Sequence, residues 1–258
     1  MNPRVIDLEN KHGTFYGGTS GLLVPMPKRD FPAEFKDHSR LAFYATLFNS
    51  LEINSSFYKL PMPKTVAKWA TEVSPGFTFT YKLWREITHN KGLVFNDNDI
   101  ARFMDVVSNA GDKKGCILVQ FPPGATIARG QLTHLLALLQ GKNKNNEWHI
   151  AVEFRHRSWY TDEVYDLLRR FNAGLVLQDM PKSATPQILT SDDLVYVRFH
   201  GPSGDYRGNY SDELLSEYAT YIRDWQGEGK DVYVYFNNTA GDALNNLLTL
   251  KEYLYEGE

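Results

Sequence analysis

The stretch HIAVEFRHRSWYTDEVYDLLRRFNAGLVLQD, residues 149–179, contains one complete strand–helix–strand unit. Its first part, HIAVEFR (149–155), is a short apolar run with the composition of a buried strand. Residues 161–172 then carry apolar side chains at helical spacing, and GLVLQD (174–179) is a second short apolar run. This order predicts two parallel strands joined by a helical crossover.

The same order recurs along the whole chain. Further strands are predicted at 14–20, 50–54, 77–83, 115–121, 194–200 and 231–238, and further helices at 38–48, 63–72, 98–109, 129–140, 211–226 and 240–254. Only the sixth connection, MPKSATPQILTSD (180–192), has two prolines and no helical stripe, so an irregular loop is expected there. Eight strands with interleaved helices and no linker predict a single α/β domain over residues 1–258, a closed (β/α)₈ barrel of the TIM type.

Composition narrows the function only slightly. A net charge of −3 gives no overall field for an extended nucleic acid or an anionic membrane, although a local basic pocket remains compatible with it. The chain has one cysteine, Cys116, and its first residues lack the apolar core of a signal peptide. We therefore expect a cytoplasmic protein without a membrane partner, and its function has to be sought in a local site.

Polar residues collect at the C-terminal ends of the predicted strands, where a TIM barrel carries its active site. Three pairs are spaced two residues apart, so the members of each pair share one face of a strand: Glu52 with Asn54, Glu153 with Arg155, and Arg198 with His200. Buried charges are unfavourable unless they are paired or used. The set therefore predicts a ligand site, with structural salt bridges such as Glu153 with Arg198 as the alternative for single residues.

Other residues are expected at the same mouth. Trp159 and Tyr206 are candidates to stack their aromatic rings against a ring or sugar of the ligand, with core packing as the alternative for Trp159. Arg207 lies beside Tyr206 in a glycine-rich loop and is a candidate anion ligand. The remaining candidates at strand ends are Lys82, Asp179, Asn237 and Asn238.

Two classes of function fit these residues. The first is an enzyme, an isomerase or a hydrolase, that acts on a small polar, phosphorylated or carbohydrate-like molecule. In it, Arg155, Arg198 and Lys82 hold an anionic group, while Glu153 or Glu52 is the general base and His200 the acid or proton shuttle. The alternative is a binding protein without chemistry, for a nucleotide, a phosphorylated metabolite or a nucleic-acid end.

Taken together, the motifs resemble the YecE-like family (domain of unknown function 72), whose members have a TIM-barrel fold. The resemblance runs from GTSG (18–21) through LFNSLEINSSFYKLP (47–61), KLWREITH (82–89) and EFRHRSW (153–159) to VYVYFNNTAGDA (232–243). It covers nearly the whole chain, and it marks the strand-end residues as family positions without assigning them roles.

The family is also described as related to sugar isomerases, and that relation implies a metal-assisted alternative. In it, Glu52, Glu153, Asp179 and His200 bind a divalent metal that polarises a carbonyl. The positive charges of Arg155 and Arg198 beside such a metal count against it, so the cofactor is left open.

Overall fold

A computed structural model describes residues 12–256, and eight parallel strands form its centre. The strands are β1 Phe15–Thr19, β2 Ser50–Ile53, β3 Thr78–Lys82, β4 Lys114–Gln120, β5 His149–Glu153, β6 in two pieces (Gly174–Leu175 and Leu177–Gln178), β7 Leu194–Phe199 and β8 Asp231–Phe236. All eight predicted strands are therefore confirmed.

The strands pair in sequence order around a ring. β2 to β6 form one run of parallel pairs, and β1, β8, β7 and the second piece of β6 form another. The two runs meet at β6, whose first piece pairs with β5 and whose second piece pairs with β7. They meet again where Ser20 and Glu52 form a single parallel bridge after β1. This is the α/β barrel that the sequence predicts.

Helices follow most of the strands, as predicted. They are α1 Arg40–Leu47, α2 Ser55–Tyr58, α3 Pro63–Thr71, α4 Arg85–Thr88, α5 Asp97–Val107, α6 Arg129–Lys142, α7 Asp162–Arg170, α8 Asp212–Gly227 and α9 Ala243–Tyr255. No regular helix lies between β6 and β7, as the prolines predict. The single turns α2 and α4 are additions, because four residues are too few to show a helical period in the sequence. Among the described residues, none of the helices is long and apolar enough to span a bilayer.

Alternation along each strand separates two layers of side chains. Outward residues such as Leu51 and Val152 pack under the helices, while the barrel interior holds small and aromatic residues, including Ala151, Tyr196 and Tyr235. The interior hydroxyls are bonded: Tyr235 OH lies 2.5 Å from Ser50 Oγ and 2.8 Å from Thr80 Oγ1. The lower interior of the barrel is therefore packed, and the charged side chains lie one layer above it, towards the C-terminal ends of the strands.

β1 and β2 approach each other closely at a glycine. A Cβ built on Gly18 would lie 2.2 Å from the backbone oxygen of Ser50, which no side chain tolerates. The absence of a side chain at Gly18 lets the chain after β1 reach Glu52, the first residue of the site.

Candidate functional site

Glu52 lies on the inward face of β2 and is completely buried. Arg198 donates to both of its oxygens, from Nη2 to Oε1 at 2.5 Å and from Nε to Oε2 at 2.9 Å. Ser20 Oγ at 2.6 Å and Tyr196 OH at 2.5 Å donate as well. Burial alone would raise the pKa of Glu52, but Arg198 and the hydroxyl donors outweigh it and hold the pKa below its usual value. Glu52 is an ionised carboxylate with four hydrogen-bond donors around it.

Arg198 connects this carboxylate to a second one. Its Nη1 donates to Glu153 Oε2 at 2.8 Å and contacts His200 Nε2 at 3.1 Å, while Nη2 also lies 3.4 Å from Ser20 Oγ. Every nitrogen of the guanidinium thus has a partner, and the side chain is only 1% exposed. Arg198 is the centre of a buried ion network, and its hydrogen-bond donors are already committed.

Glu153, at the end of β5, also pairs with Arg155. Arg155 donates from Nε to Glu153 Oε1, and its Nη2 lies 2.7 Å from His200 Nε2. Burial would raise the pKa of Glu153, but the charges of Arg155 and Arg198 hold it well below its usual value. Within residues 12–256 the remaining nitrogen of Arg155, Nη1, has no hydrogen-bond partner, so it is available to a ligand.

His200 is held between these arginines and a third carboxylate. Asp179 Oδ1 lies 2.8 Å from the His200 backbone nitrogen and 3.2 Å from its Nδ1, and Tyr210 donates to Asp179 Oδ2. Burial lowers the pKa of His200, and the nearby arginines lower it further against the effect of Asp179. Because Nε2 faces two guanidinium donors, the neutral ring carries its proton on Nδ1, towards Asp179.

A cavity of about 340 Å³ opens above this network, at the C-terminal ends of the strands. Its volume is within the range of small-molecule sites. The residues that line it are Asn54, Phe57, Tyr58, Lys82, His89, Gln120, Pro123, Arg155, Met180, Arg198, Tyr206 and Asn237. Three of them are cations and none is a carboxylate. Glu52 and Glu153 lie behind their arginines, so positively charged groups face the cavity.

Of the three cations, Lys82 has the fewest ion-pair and hydrogen-bond partners among the described residues. It ends β3, and its Nζ lies 4.3 Å from the centre of the Phe57 ring. Among the described residues no carboxylate or other hydrogen-bond acceptor contacts Nζ, whereas Arg155 and Arg198 both have ion-pair partners. Burial and the charge of Arg198 lower the pKa of Lys82 to about 8. A fraction of this amine is therefore neutral near physiological pH.

Amide side chains complete the wall of the cavity. Asn54, the residue before α2, has a buried Oδ1 without a hydrogen-bond partner among the described residues, and it lines the cavity together with Asn237 and Gln120. A buried amide oxygen without a partner is unusual in folded proteins, and here it leaves an unused acceptor in a residue of the cavity wall. The amides are suited to hydroxyl groups on a small polar molecule.

Four of the ten predicted substrate-binding residues do not line the cavity, and neither do the three predicted catalytic residues, Glu52, Glu153 and His200. Asp179 holds His200, and Asn238 donates to Gly208 O at 3.0 Å and thus fixes the loop after β7. Arg207 is exposed outside the cavity. Trp159 is fully buried, with its ring centre 4.6 Å from that of Phe154, so the packing alternative is the correct one for this tryptophan.

The cavity also contains residues that the sequence analysis did not assign to it. Phe57 and Tyr58 reach it because the single turn α2 brings them back over the end of β2. His89 lines it too; burial and the charge of Lys82 lower the pKa of this ring to about 4, so it is neutral. Two tyrosines of the ion network below the cavity, Tyr196 and Tyr210, were not predicted either. The sequence does indicate Tyr196, since it precedes Arg198 and His200 on the same face of β7. Nothing in the sequence marks Tyr210.

The residues of this site do not fit a divalent metal. Both oxygens of Glu52 and of Glu153 accept hydrogen bonds from arginine, and His200 Nε2 faces two guanidinium groups. Between residues 12 and 256 there is no group of three or more histidine, cysteine, aspartate or glutamate side chains arranged to hold an ion. A cation placed here would have to displace the arginines from their carboxylates.

Comparison with known proteins gives a consistent result. Residues 18–258 match the family model described as "Protein of unknown function DUF72". The chain is 26% identical to the UPF0759 protein YunF of Bacillus subtilis (strain 168), over 88% of this chain and 92% of YunF. A DUF72 family protein from Enterococcus faecalis V583 has a similar structure, with a TM-score of 0.77 and 22% identity over 93% of this chain and 95% of that one.

A more distant likeness concerns the fold alone. D-psicose 3-epimerase, crystallised in the presence of D-fructose, superposes with a TM-score of 0.56 at 11% identity. The likeness covers 93% of this chain and 99% of the epimerase. It supports the barrel architecture that the strand pairing describes.

Proposed function

We propose that this chain, which belongs to the DUF72 family, binds a small anionic, polar molecule in the cavity above the ion network and acts on it as an enzyme. The substrate is a phosphorylated or carboxylated compound with further hydroxyl groups. The site is at the C-terminal ends of the strands, where loops and strand ends of a TIM barrel jointly contact a ligand.

The observation that carries this proposal is the positive charge of the cavity wall. Lys82, Arg155 and Arg198 line the cavity, and no aspartate or glutamate does. An anion in this position is attracted by three cations, and the carboxylates that balance them are separated from it by the guanidinium groups. The same three cations would repel a cationic ligand.

The free donors of the wall define how such a ligand would sit. Arg155 offers Nη1 and Lys82 offers Nζ, which are charged donors suited to phosphate or carboxylate oxygens. Asn54 and Asn237 can bind hydroxyl groups. Tyr58 and Tyr206 stand at the mouth, 69% and 41% exposed, and offer ring faces to the part of the ligand away from the anion.

The contacts favour Lys82 over the predicted carboxylates as the acid–base group. Glu52 and Glu153 have pKa values held low by arginine, so both are weak bases, and His200 Nε2 is already an acceptor for two guanidinium groups. The amine of Lys82 has a pKa of about 8 and is free to contact a ligand. The roles of Glu52, Glu153 and His200 in catalysis stay predictions, as does the single-domain organisation.

A second candidate function is anion binding without chemistry, for a nucleotide or a phosphorylated metabolite. Its supporting observation is that every carboxylate of the site is engaged: Glu52 and Glu153 by arginine, and Asp179 by His200 and Tyr210. A site whose carboxylates all have structural partners could serve recognition only. Both candidates require the same anion site, and they differ in whether Lys82 reacts.

Thermal unfolding with added inorganic phosphate tests the shared anion site. At a phosphate concentration a hundred times the dissociation constant, binding stabilises the folded state by about 2.7 kcal/mol. We expect Arg155→Gln to remove most of this stabilisation and Arg207→Gln, at the exposed arginine outside the cavity, to leave it intact. Equal stabilisation of both variants would mean that phosphate binds elsewhere, and no stabilisation of the unmodified protein would contradict the proposal.

A further inference from the structure

Lys82 differs from the other cations of the site because no carboxylate of the described residues contacts its amine. Arg155 contacts Glu153, and Arg198 contacts both Glu52 and Glu153, whereas Nζ of Lys82 lies over the face of Phe57. The backbone beneath it is fixed, since the Lys82 carbonyl accepts a hydrogen bond from Ser56 Oγ at 2.7 Å. The residue thus combines a fixed backbone with an amine that has no hydrogen-bond partner among the described residues, and it lines the cavity.

The surroundings of this amine favour its neutral, nucleophilic form. Lysine becomes a nucleophile when it is desolvated against apolar groups or placed beside another cation. Lys82 meets both conditions, with the Phe57 ring below it and the Arg155 and Arg198 charges on the same cavity wall. Its pKa of about 8 leaves roughly a tenth of the amine neutral at pH 7, against far less for an ordinary exposed lysine.

The arginines would also attract a suitable reaction partner, an anionic carbonyl compound, to the Lys82 amine. An anionic group bound to the free Nη1 of Arg155 holds its molecule inside a cavity of about 340 Å³, whose wall includes Lys82. A carbonyl on a small molecule held in this way is confined near the amine, and confinement of two reactants greatly accelerates their reaction.

We propose that Lys82 condenses with the carbonyl of a small anionic aldehyde or ketone to form an imine. The proposal rests on the proposed function and extends it to a substrate class, phosphorylated or carboxylated carbonyl compounds. The lone pair of Nζ adds to the carbonyl carbon, and a proton passes from nitrogen to oxygen to give a carbinolamine. The C–O bond then breaks with uptake of one proton from solvent, water leaves, and a protonated imine remains on Lys82.

No oxidant, reductant or metal takes part in this step. Amine, carbonyl compound and one proton give the protonated imine and one water, so atoms and charge balance. The protonated imine withdraws electrons from the adjacent carbon, whose C–H or C–C bond then breaks more easily. This reactivity serves isomerisation or cleavage next to a carbonyl, and it gives Lys82 a catalytic role.

Pyridoxal 5′-phosphate is the probe of choice, because it combines an aldehyde, a ring and a phosphate in one small molecule. The full chain is mixed with the probe at a stoichiometric amount, reduced with borohydride, digested and analysed by mass spectrometry for the modified lysines. Pyridoxal, which lacks the phosphate, is the matched control compound, and exposed Lys59 is the internal reference for ordinary reactivity.

We expect Lys82 to be modified at least about tenfold more than Lys59 by the phosphorylated probe, with inorganic phosphate as a competitor. Pyridoxal should show little of this preference. Lys82→Arg keeps the positive charge, and it should lose the selective modification while unfolding at a temperature close to that of the unmodified protein. Modification spread evenly over the lysines, or absent at Lys82, would overturn the proposal.

The experiment separates this proposal from the one on which it rests. If phosphate stabilises the protein through Arg155 but Lys82 is not modified, the anion site stands and the imine is overturned. If Lys82 is modified equally by both probes and phosphate does not compete, the reactive amine stands and the anion site fails. Selective modification that phosphate prevents supports both.

Discussion

Arg198 and Glu52 form a two-point ion pair across the interior of the barrel, with N–O distances of 2.5 and 2.9 Å, although they are 146 residues apart in the chain. The pair joins β7 to β2, and through Glu153 it reaches β5 as well. Because three strands depend on one guanidinium, the network both ties the barrel together and sets the charge of the cavity above it.

Removal of Arg198 should therefore be severely destabilising. Arg198→Met leaves buried Glu52 without its counter-charge and takes one of two arginine partners from Glu153. Loss of one partner of a buried pair typically costs about 3–5 kcal/mol. Urea unfolding of the variant measures this loss. Arg207→Met, which removes an exposed arginine, should change stability by less than about 0.5 kcal/mol. A similar small effect for both variants would contradict the role given to Arg198.

Two buried tyrosines allow the hydrogen bond to Glu52 to be measured against a matched control. Tyr196 donates to Glu52 Oε2 at 2.5 Å, whereas the buried hydroxyl of Tyr81 has no hydrogen-bond partner within residues 12–256. We expect Tyr196→Phe to destabilise the protein by about 1–3 kcal/mol, since it takes a donor from a buried charge. Tyr81→Phe makes the same chemical change and should be neutral or stabilising. Equal losses in denaturant unfolding would refute this account of the network.

The tautomer of His200 is a direct consequence of its contacts. Arg155 Nη2 at 2.7 Å and Arg198 Nη1 at 3.1 Å both donate towards Nε2, so the proton should be on Nδ1, facing Asp179. Long-range ¹⁵N–¹H spectra of histidine-labelled protein distinguish the two tautomers, and the His200→Gln variant assigns the signal. Since burial lowers the pKa of His200, the ring should remain neutral below its usual titration range. A proton on Nε2, or ordinary titration, would show that the arginines are placed differently.

A second ion cluster, at the opposite end of the barrel, makes stability depend on pH. His149 starts β5, with ring nitrogens 3.7 Å from Asp193 and 3.7 Å from Asp231. Burial would lower its pKa, but the interactions with Asp193 and Asp231 raise it to about 9. A histidine whose pKa is raised on folding stabilises the protein fully below its unfolded value of about 6.5, and this contribution disappears as pH rises through 9.

His149→Gln should accordingly destabilise the protein more at pH 6 than at pH 10. The expected difference is about 1–3 kcal/mol, because each unit of pKa shift corresponds to about 1.4 kcal/mol and the ring is partly exposed. Chemical unfolding of both proteins at the two pH values provides the comparison. A loss that is independent of pH would indicate that the ring acts through packing rather than through its charge.

Much of the fold could be read from the sequence because its signals are local. Each strand is a short apolar run, most helices have a clear apolar stripe, and the prolines between β6 and β7 exclude a helix there. The spacing of Glu52 from Asn54, and of Arg198 from His200, also predicted correctly that these residues share an inward face. The turns α2 and α4 escaped, since a single helical turn leaves no periodic pattern.

The partners within the site could not be read in the same way, because they depend on distances between strands far apart in the chain. Sequence spacing brings Glu52, Glu153 and Arg198 to one end of the barrel, but it does not reveal that arginine occupies both carboxylates and leaves Lys82 without a counter-charge. Trp159 was ambiguous for the same reason: an aromatic residue after a strand can cover either the core or the mouth, and here it covers the core.

The most direct test of the central claim is a crystal of the protein soaked in tungstate, an anion whose anomalous scattering shows its position without prior assumptions. The account predicts a peak in the cavity, within hydrogen-bond distance of Arg155 and Lys82, which is lost in crystals of the Arg155→Gln variant. Tungstate found only on the outer surface, with the cavity free of it under the same conditions, would contradict an anion site above the Arg198 network.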